Sequence, residues 1–116
     1  VGKANGAEEK WSDVVVTRGG SAALRGVKGI DKAGGGGRVA PCDLSLEGEQ
    51  ASQDGKIAFW VDQQPYVQGY WAVESLYVLK KNGNDIGGGK AVLTGPSFVD
   101  SKNIGVILPF AKNNTR

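Results

Sequence analysis

Short apolar runs alternate along this chain with segments of helical periodicity. Residues 13–17 hold three consecutive valines, residues 38–44 and 57–61 are two further apolar runs, and residues 91–94 are a fourth. Valines that do not alternate with polar residues are typical of a strand covered on both faces, as in a parallel sheet. The order β-α-β-α-β-α-β therefore predicts an α/β fold, a mostly parallel sheet with flanking helices and right-handed crossovers.

Three helices are predicted between these strands. The first covers residues 22–33 with Ser21 as its N-cap, and the second is a short helix over residues 45–54. The third, residues 65–81, begins at Pro65 and closes with Gly83 as a left-handed cap. Its apolar stripe consists of Tyr66, Tyr70, Val73, Leu76 and Tyr77. Residues 95–116 are expected to be irregular, with a possible strand at 104–108.

The composition excludes several kinds of chemistry. The chain has 116 residues and no histidine, so it holds neither the commonest general base nor the commonest transition-metal ligand. Cys42 is the one cysteine, which excludes an internal disulfide and a thiolate zinc site, and its apolar neighbours favour a small buried hydrophobe over a reactive thiol. A net charge of +2 is too small to predict nucleic-acid binding. No apolar run approaches the ~20 residues that span a bilayer.

Polar residues follow three of the predicted strands. Arg18 and Gly19 come after the first, Asp43 after the second, and Asp62 and Gln63 after the third. Because the carboxyl ends of parallel strands meet at one edge, where such sheets bind ligands, these residues are expected to converge there. Carboxylates, amides and a guanidinium in one crevice can hydrogen-bond a polyhydroxylated ligand.

Each of these residues also has a purely structural interpretation. Asp43 could cap the helix that follows it, and Asp62 is more readily explained as a cap of the helix at Pro65 than as a ligand contact. The amide of Gln63 could serve the backbone, and Arg18 could face solvent. Trp60 and Trp71 lie in apolar runs and are expected in the core rather than stacked on a ligand.

Several segments together resemble one protein family. Residues 62–70, DQQPYVQGY, are similar to the DQQPYLQGY signature of periplasmic sugar-binding proteins, the substrate receptors of ABC importers. The segments DLS at 43–45 and DGKI at 54–57 resemble that family's FDLSPE and IKDGKI stretches, and TGPSFVD at 94–100 resembles its TGPAFVD. TRGG at 17–20 is similar to its TGGPGA. The similarity covers roughly residues 13–104 in the family's order.

This resemblance implies the type 1 periplasmic-binding-protein fold, in which two α/β lobes joined by three crossovers close on a sugar. The chain would correspond to the C-terminal portion of such a receptor. Residues 1–61 would be part of the C-terminal lobe, and residues 62–91 a hinge crossover with a helix that packs on the N-terminal lobe. Residues 92–116 would be the last crossover strand and the C-terminal tail.

The resemblance also implies site residues and partners. Asp43 matches the family's strand-end carboxylate, and Gln63 matches its hinge amide. Gly19 stands where relatives often place a polar ligand residue, so it offers at most backbone contacts, while Asp62 and Arg18 complete the predicted ligand-binding set. The ligand would be a sugar, with no cofactor and no metal. The partners would be a membrane ABC permease and either the N-terminal lobe or a second copy covering the helix stripe, and the protein would be exported to the periplasm or outside the cell.

Two other functions stay open at this point. The effector-binding domain of a sugar-responsive transcription regulator shares this fold, and a helix-turn-helix before it would identify that class. A small doubly wound enzyme is disfavoured, since the glycine runs at 34–37 and 87–89 lack the residues that complete a phosphate-binding loop. The sequence therefore predicts a binding protein rather than an enzyme.

Overall fold

The computed structural model describes residues 13–116. Residues 1–12 of the segment that the sequence places in the C-terminal lobe lie outside it. Four strands and four α-helices follow one another along the described part of the chain. The strands are β1 (Val14–Thr17), β2 (Arg38–Pro41), β3 (Trp60–Asp62) and β4 (Ser97–Val99). The helices are α1 (Gly20–Lys32), α2 (Glu49–Gln53), α3 (Pro65–Asn82) and α4 (Ile104–Lys112), with a 3₁₀ turn over Leu46–Gly48 before α2.

The first three strands run parallel. β1 pairs with β2 in parallel register, Val15 opposite Val39, and isolated parallel bridges from Val39 to Ile57 and from Cys42 to Val61 join β2 to the third strand segment. β4 then pairs antiparallel with β3. The prediction of an α/β fold with a parallel sheet and flanking helices is confirmed.

The chain after α3 differs from its sequence prediction. Residues 91–94 form no strand, and the strand expected there lies at Ser97–Val99. The possible strand at 104–108 is the start of helix α4, whose Ile104 and Leu108 are buried one helical turn apart. A short apolar run does not by itself distinguish strand from helix, and here the core accepts every fourth residue rather than every second.

Two local predictions for β1 and α1 are also wrong. Val14 and Val16 are 38% and 72% exposed, because α1 covers only the other face of the strand, so β1 is not buried on both faces. Ser21 is not the N-cap of α1 but lies inside it. The cap position is Gly19 with φ 119°, a backbone conformation that glycine adopts without strain.

The buried core lies between the sheet and helices α1, α2 and α4, with Trp60 at its centre. Trp60 is fully buried, and its indole N–H donates to the Ser52 hydroxyl at 2.8 Å. Ser52 in turn donates to the Gly48 carbonyl at 2.9 Å, so the polar groups around the ring are satisfied. The other buried apolar residues of this cluster are Val15, Ala23, Val27, Ile30, Val39, Ile57, Val99, Ile104 and Leu108.

Gly48 is predicted to be a position where even one methyl group is costly. A Cβ built there would overlap the Trp60 ring, whereas a Cβ at Gly69 of α3 meets nothing within 4 Å. We expect Gly48→Ala to destabilise the 116-residue chain by about 1–3 kcal/mol through overpacking. Gly69→Ala should stabilise it by up to about 1 kcal/mol through helix propensity. Urea unfolding of both variants measures the difference, and equal stabilities would contradict this packing.

Helix α3 is formed as predicted but is hardly packed. It begins at Pro65 and ends at Gly83 with φ 69°, and none of its own residues is buried. The residues of its apolar stripe are 49–70% exposed, from Tyr66 at 49% to Val73 at 70%. Trp71, expected in the core, is 44% exposed, so that expectation is wrong. Within the described residues, no helix combines the length and apolar character needed to cross a membrane.

Candidate ligand-binding site

The carboxyl ends of the three parallel segments lie side by side. The Cys42 N–H donates to the Thr17 carbonyl at 2.9 Å, and the Asp43 N–H donates to the Val61 carbonyl at 3.0 Å. These bonds continue the parallel pairing past the ends of β1 and β2. The loops that leave the strands therefore start next to one another, as the strand order predicted.

A depression of about 350 Å³ opens at this edge. Its lining contains three of the five predicted ligand residues, Arg18, Asp43 and Gln63, together with Cys42 and Val61. Cys42 is only partly buried there, rather than the fully buried hydrophobe that its neighbours suggested. The structure thus brings a guanidinium, a carboxylate and an amide from three separate loops to one concave surface.

Asp43 and Gln63 are in direct contact. The Gln63 Nε2 donates to Asp43 Oδ1 at 2.5 Å, and both side chains are exposed to solvent. Asp43 adopts φ 66°, in the left-handed region that aspartate tolerates better than most residues. It does not cap the following 3₁₀ turn, whose cap position is Ser45. The Ser45 hydroxyl instead donates to Glu47 and lowers the pKa of that carboxyl.

The backbone carbonyl of Gln63 holds this residue in place. That oxygen accepts hydrogen bonds from Thr94 Oγ1 and from Gln68 Nε2, both at 2.9 Å. The Gln68 amide also contacts Gln63 Oε1 at 3.2 Å. Gln64 Nε2 donates to the Thr94 carbonyl at 2.5 Å, so the segments at residues 62–64 and 94–97 are bonded together beside the depression.

The other two predicted residues do not line this depression. Gly19 caps α1 through its backbone. Asp62 is 2% exposed, and its Oδ1 accepts the Gln64 N–H at 3.0 Å, which holds the turn before α3. The expectation that Asp62 caps this helix is wrong, because the cap position is Gln64 and no side chain makes a cap hydrogen bond there. Its Oδ2 accepts Arg116 Nε at 2.7 Å.

Sequence reasoning missed several residues around the site. Gln68 stands inside the quoted DQQPYVQGY segment and Thr94 opens the quoted TGPSFVD segment, so both could have been found there, whereas nothing in the sequence pointed to Arg116. A second groove of about 500 Å³ borders Gln63 on the side of α3. It is mainly apolar, and its walls include Trp71 and Leu93.

The chemistry available at the strand edge is hydrogen bonding. An ionised carboxylate accepts, a guanidinium donates and an amide does both, which matches hydroxyl groups that donate and accept in turn. Among residues 13–116, no group of three or more His, Cys, Asp or Glu side chains is placed to hold a metal ion.

Comparison with known proteins gives one solved structure of clear similarity. No protein-family model and no curated protein matches the chain. The crystal structure of a carbohydrate transporter from Acidothermus cellulolyticus 11B, solved in complex with myo-inositol, matches 99% of this chain at 36% identity and a TM-score of 0.86. The chain spans 40% of that transporter's length. The fold described above is therefore similar to the fold of one part of that protein.

Proposed function

We propose that this chain forms one wall of a sugar-binding site in a solute receptor of an ABC importer. The observation that carries the proposal is the convergence of Arg18, Asp43 and Gln63 in one depression at the strand edge. The similarity to a carbohydrate transporter solved with myo-inositol supports a polyhydroxylated ligand.

The proposed mechanism is capture without chemical conversion. The Asp43 carboxylate accepts hydrogen bonds from ligand hydroxyls, Arg18 donates to ligand oxygens, and Gln63 does both. The Gln63 amide is bonded to Asp43, so a ligand hydroxyl that enters between them replaces one internal bond with two bonds to the ligand. Hydrogen bonds to a charged group are the stronger kind, which makes Asp43 the main contributor.

A second wall is required to enclose the ligand. The depression is open, and the exposed apolar stripe of α3 lies next to the crossing at residues 62–64. We assign the stripe to contact with an N-terminal lobe, residues 62–91 to the hinge crossover and its helix, and residues 92–116 to the last crossover and tail. Closure of two lobes about these crossings would bury the sugar. The role also implies an exported protein that delivers its ligand to a membrane permease.

Isothermal titration tests the proposal. The complete protein containing these residues would be titrated with a panel of pentoses, hexoses and inositols, and with alanine as a small solute that lacks hydroxyl groups. We expect at least one sugar or inositol to bind with a Kd in the micromolar range or below, and alanine to give no binding heat. Silence across the panel would overturn the sugar-binding proposal.

A further inference from the structure

Arg116 bridges the segments at residues 62–64 and 94–97, next to the candidate site. Its Nε donates to Asp62 Oδ2 at 2.7 Å, and its Nη2 donates to Ser97 Oγ at 3.0 Å. Asp62 and Ser97 are opposite each other in the antiparallel pairing of β3 with β4. One guanidinium therefore holds both strands at the residue pair closest to Gln63.

Asp62 connects Arg116 to the backbone beside Gln63, whose amide is proposed to bind the ligand. While Oδ2 of Asp62 is bound to Arg116, Oδ1 accepts the backbone N–H of Gln64 at 3.0 Å. Gln64 adopts a left-handed conformation, φ 58° and ψ 64°, which is uncommon for a residue other than glycine and has to be held by its surroundings. The Gln64 N–H belongs to the peptide group that follows Gln63, so its bond to Asp62 helps to fix the backbone from which the Gln63 side chain reaches Asp43.

Burial makes this arrangement depend on Arg116. The side chain of Asp62 is 2% exposed and that of Arg116 is 22% exposed. Loss of the guanidinium leaves a buried carboxylate without its counter-charge, and such a group draws in water or turns toward solvent. Rotation of the carboxylate toward solvent releases the Gln64 N–H from Oδ1 and loosens the turn that carries Gln63.

We propose that Arg116 is a positioning residue for sugar binding, which acts through Asp62 and the Gln64 turn to orient the Gln63 amide. The inference rests on the proposed sugar-binding function. Arg116 does not line the strand-edge depression, but it lines a neighbouring cavity of about 340 Å³ together with Asp43, Asp62 and Gln63.

The test measures two quantities in the complete protein: the affinity for sugar and, without sugar, the NMR signal of the Gln63 side-chain amide. Arg116→Gln is expected to weaken sugar binding about tenfold, in the range for an unsatisfied buried group. The double variant Asp62→Asn with Arg116→Gln should lose no more than the worse single variant, because both act along one path. The side-chain amide NMR signal of Gln63, assigned by its loss in Gln63→Ala, should shift in ligand-free Arg116→Gln.

Two further variants separate positioning from general stability. Ile30→Ala removes a buried core side chain near the C-terminal end of α1, about three helical turns from the strand edge where α1 begins, so it should lower thermal stability without changing affinity or the Gln63 signal. Arg116→Lys keeps the charge but cannot bond Asp62 and Ser97 with a planar fork, so an intermediate loss is expected. If Arg116→Gln does not fold, the affinity and the Gln63 signal of Arg116→Lys provide the test.

The outcomes are distinguishable. Sugar binding by Arg116→Gln at the wild-type affinity, or an equal loss in Ile30→Ala, would overturn the positioning role while leaving the sugar-binding proposal intact. No binding of any sugar by the unsubstituted protein would overturn the proposed function and this inference with it.

Discussion

The Asp43→Ala variant of the complete protein is expected to bind its sugar about 100-fold more weakly than the unsubstituted protein, a loss of about 2.7 kcal/mol. Asp43 is the one carboxylate in the lining of the strand-edge depression among the described residues. A hydrogen bond to a charged group contributes about 1.5–3 kcal/mol, and a closed cleft would make it hard for water to replace it. Isothermal titration with the tightest-binding sugar measures the loss.

Two control variants separate the effect of losing the Asp43 carboxylate from a change in the loop conformation and from a change in the net charge of the protein. Asp43 adopts φ 66°, which alanine tolerates poorly, whereas asparagine adopts this conformation readily and keeps one acceptor oxygen. Asp43→Asn should therefore retain the loop and lose affinity to an intermediate degree. Asp85→Ala removes an exposed carboxylate outside the depression and should leave affinity unchanged. Binding by Asp43→Ala within about threefold of wild type would exclude Asp43 as a main ligand contact.

The Trp60→Ala variant is expected to destabilise the 116-residue chain by about 3–5 kcal/mol. The ring is fully buried in the main core, and its removal leaves both a cavity and the Ser52 hydroxyl without its donor. Since a domain has a total stability of about 5–15 kcal/mol, the variant should lose a large share of its free energy of unfolding. Urea unfolding followed by circular dichroism measures the loss.

Trp71→Ala is the matched comparison for this prediction. Its ring is 44% exposed in the groove beside α3, so its loss in the 116-residue chain should cost less than about 1 kcal/mol. If both tryptophan substitutions cost the same, the placement of one ring in the core and the other on the surface would be wrong.

The elements that local sequence rules determine were predicted well. Helix α3 has a proline at its start and a glycine just past its end, and both ends lie within one residue of the expected positions. The meeting of Arg18, Asp43 and Gln63 followed from topology alone, since parallel strands bring their carboxyl ends to one edge.

What the sequence did not predict depends on contacts between distant residues. Strand β4 forms at Ser97–Val99 because β3 supplies its partner there, and residues 91–94 have the same apolar character without such a partner. The bond from Arg116 to Asp62 joins residues 54 positions apart, which no local pattern encodes. The exposure of Val16 likewise depends on which layers cover the sheet, not on the valines themselves.

The most direct test is a crystal structure of the complete protein with the sugar or inositol that binds most tightly. The account predicts ring hydroxyls within hydrogen-bond distance of the Asp43 carboxylate and the Gln63 amide, with Arg18 at the same depression. A ligand seated in the apolar groove beside Trp71, with Asp43 and Gln63 still bonded to each other and free of ligand, would contradict it.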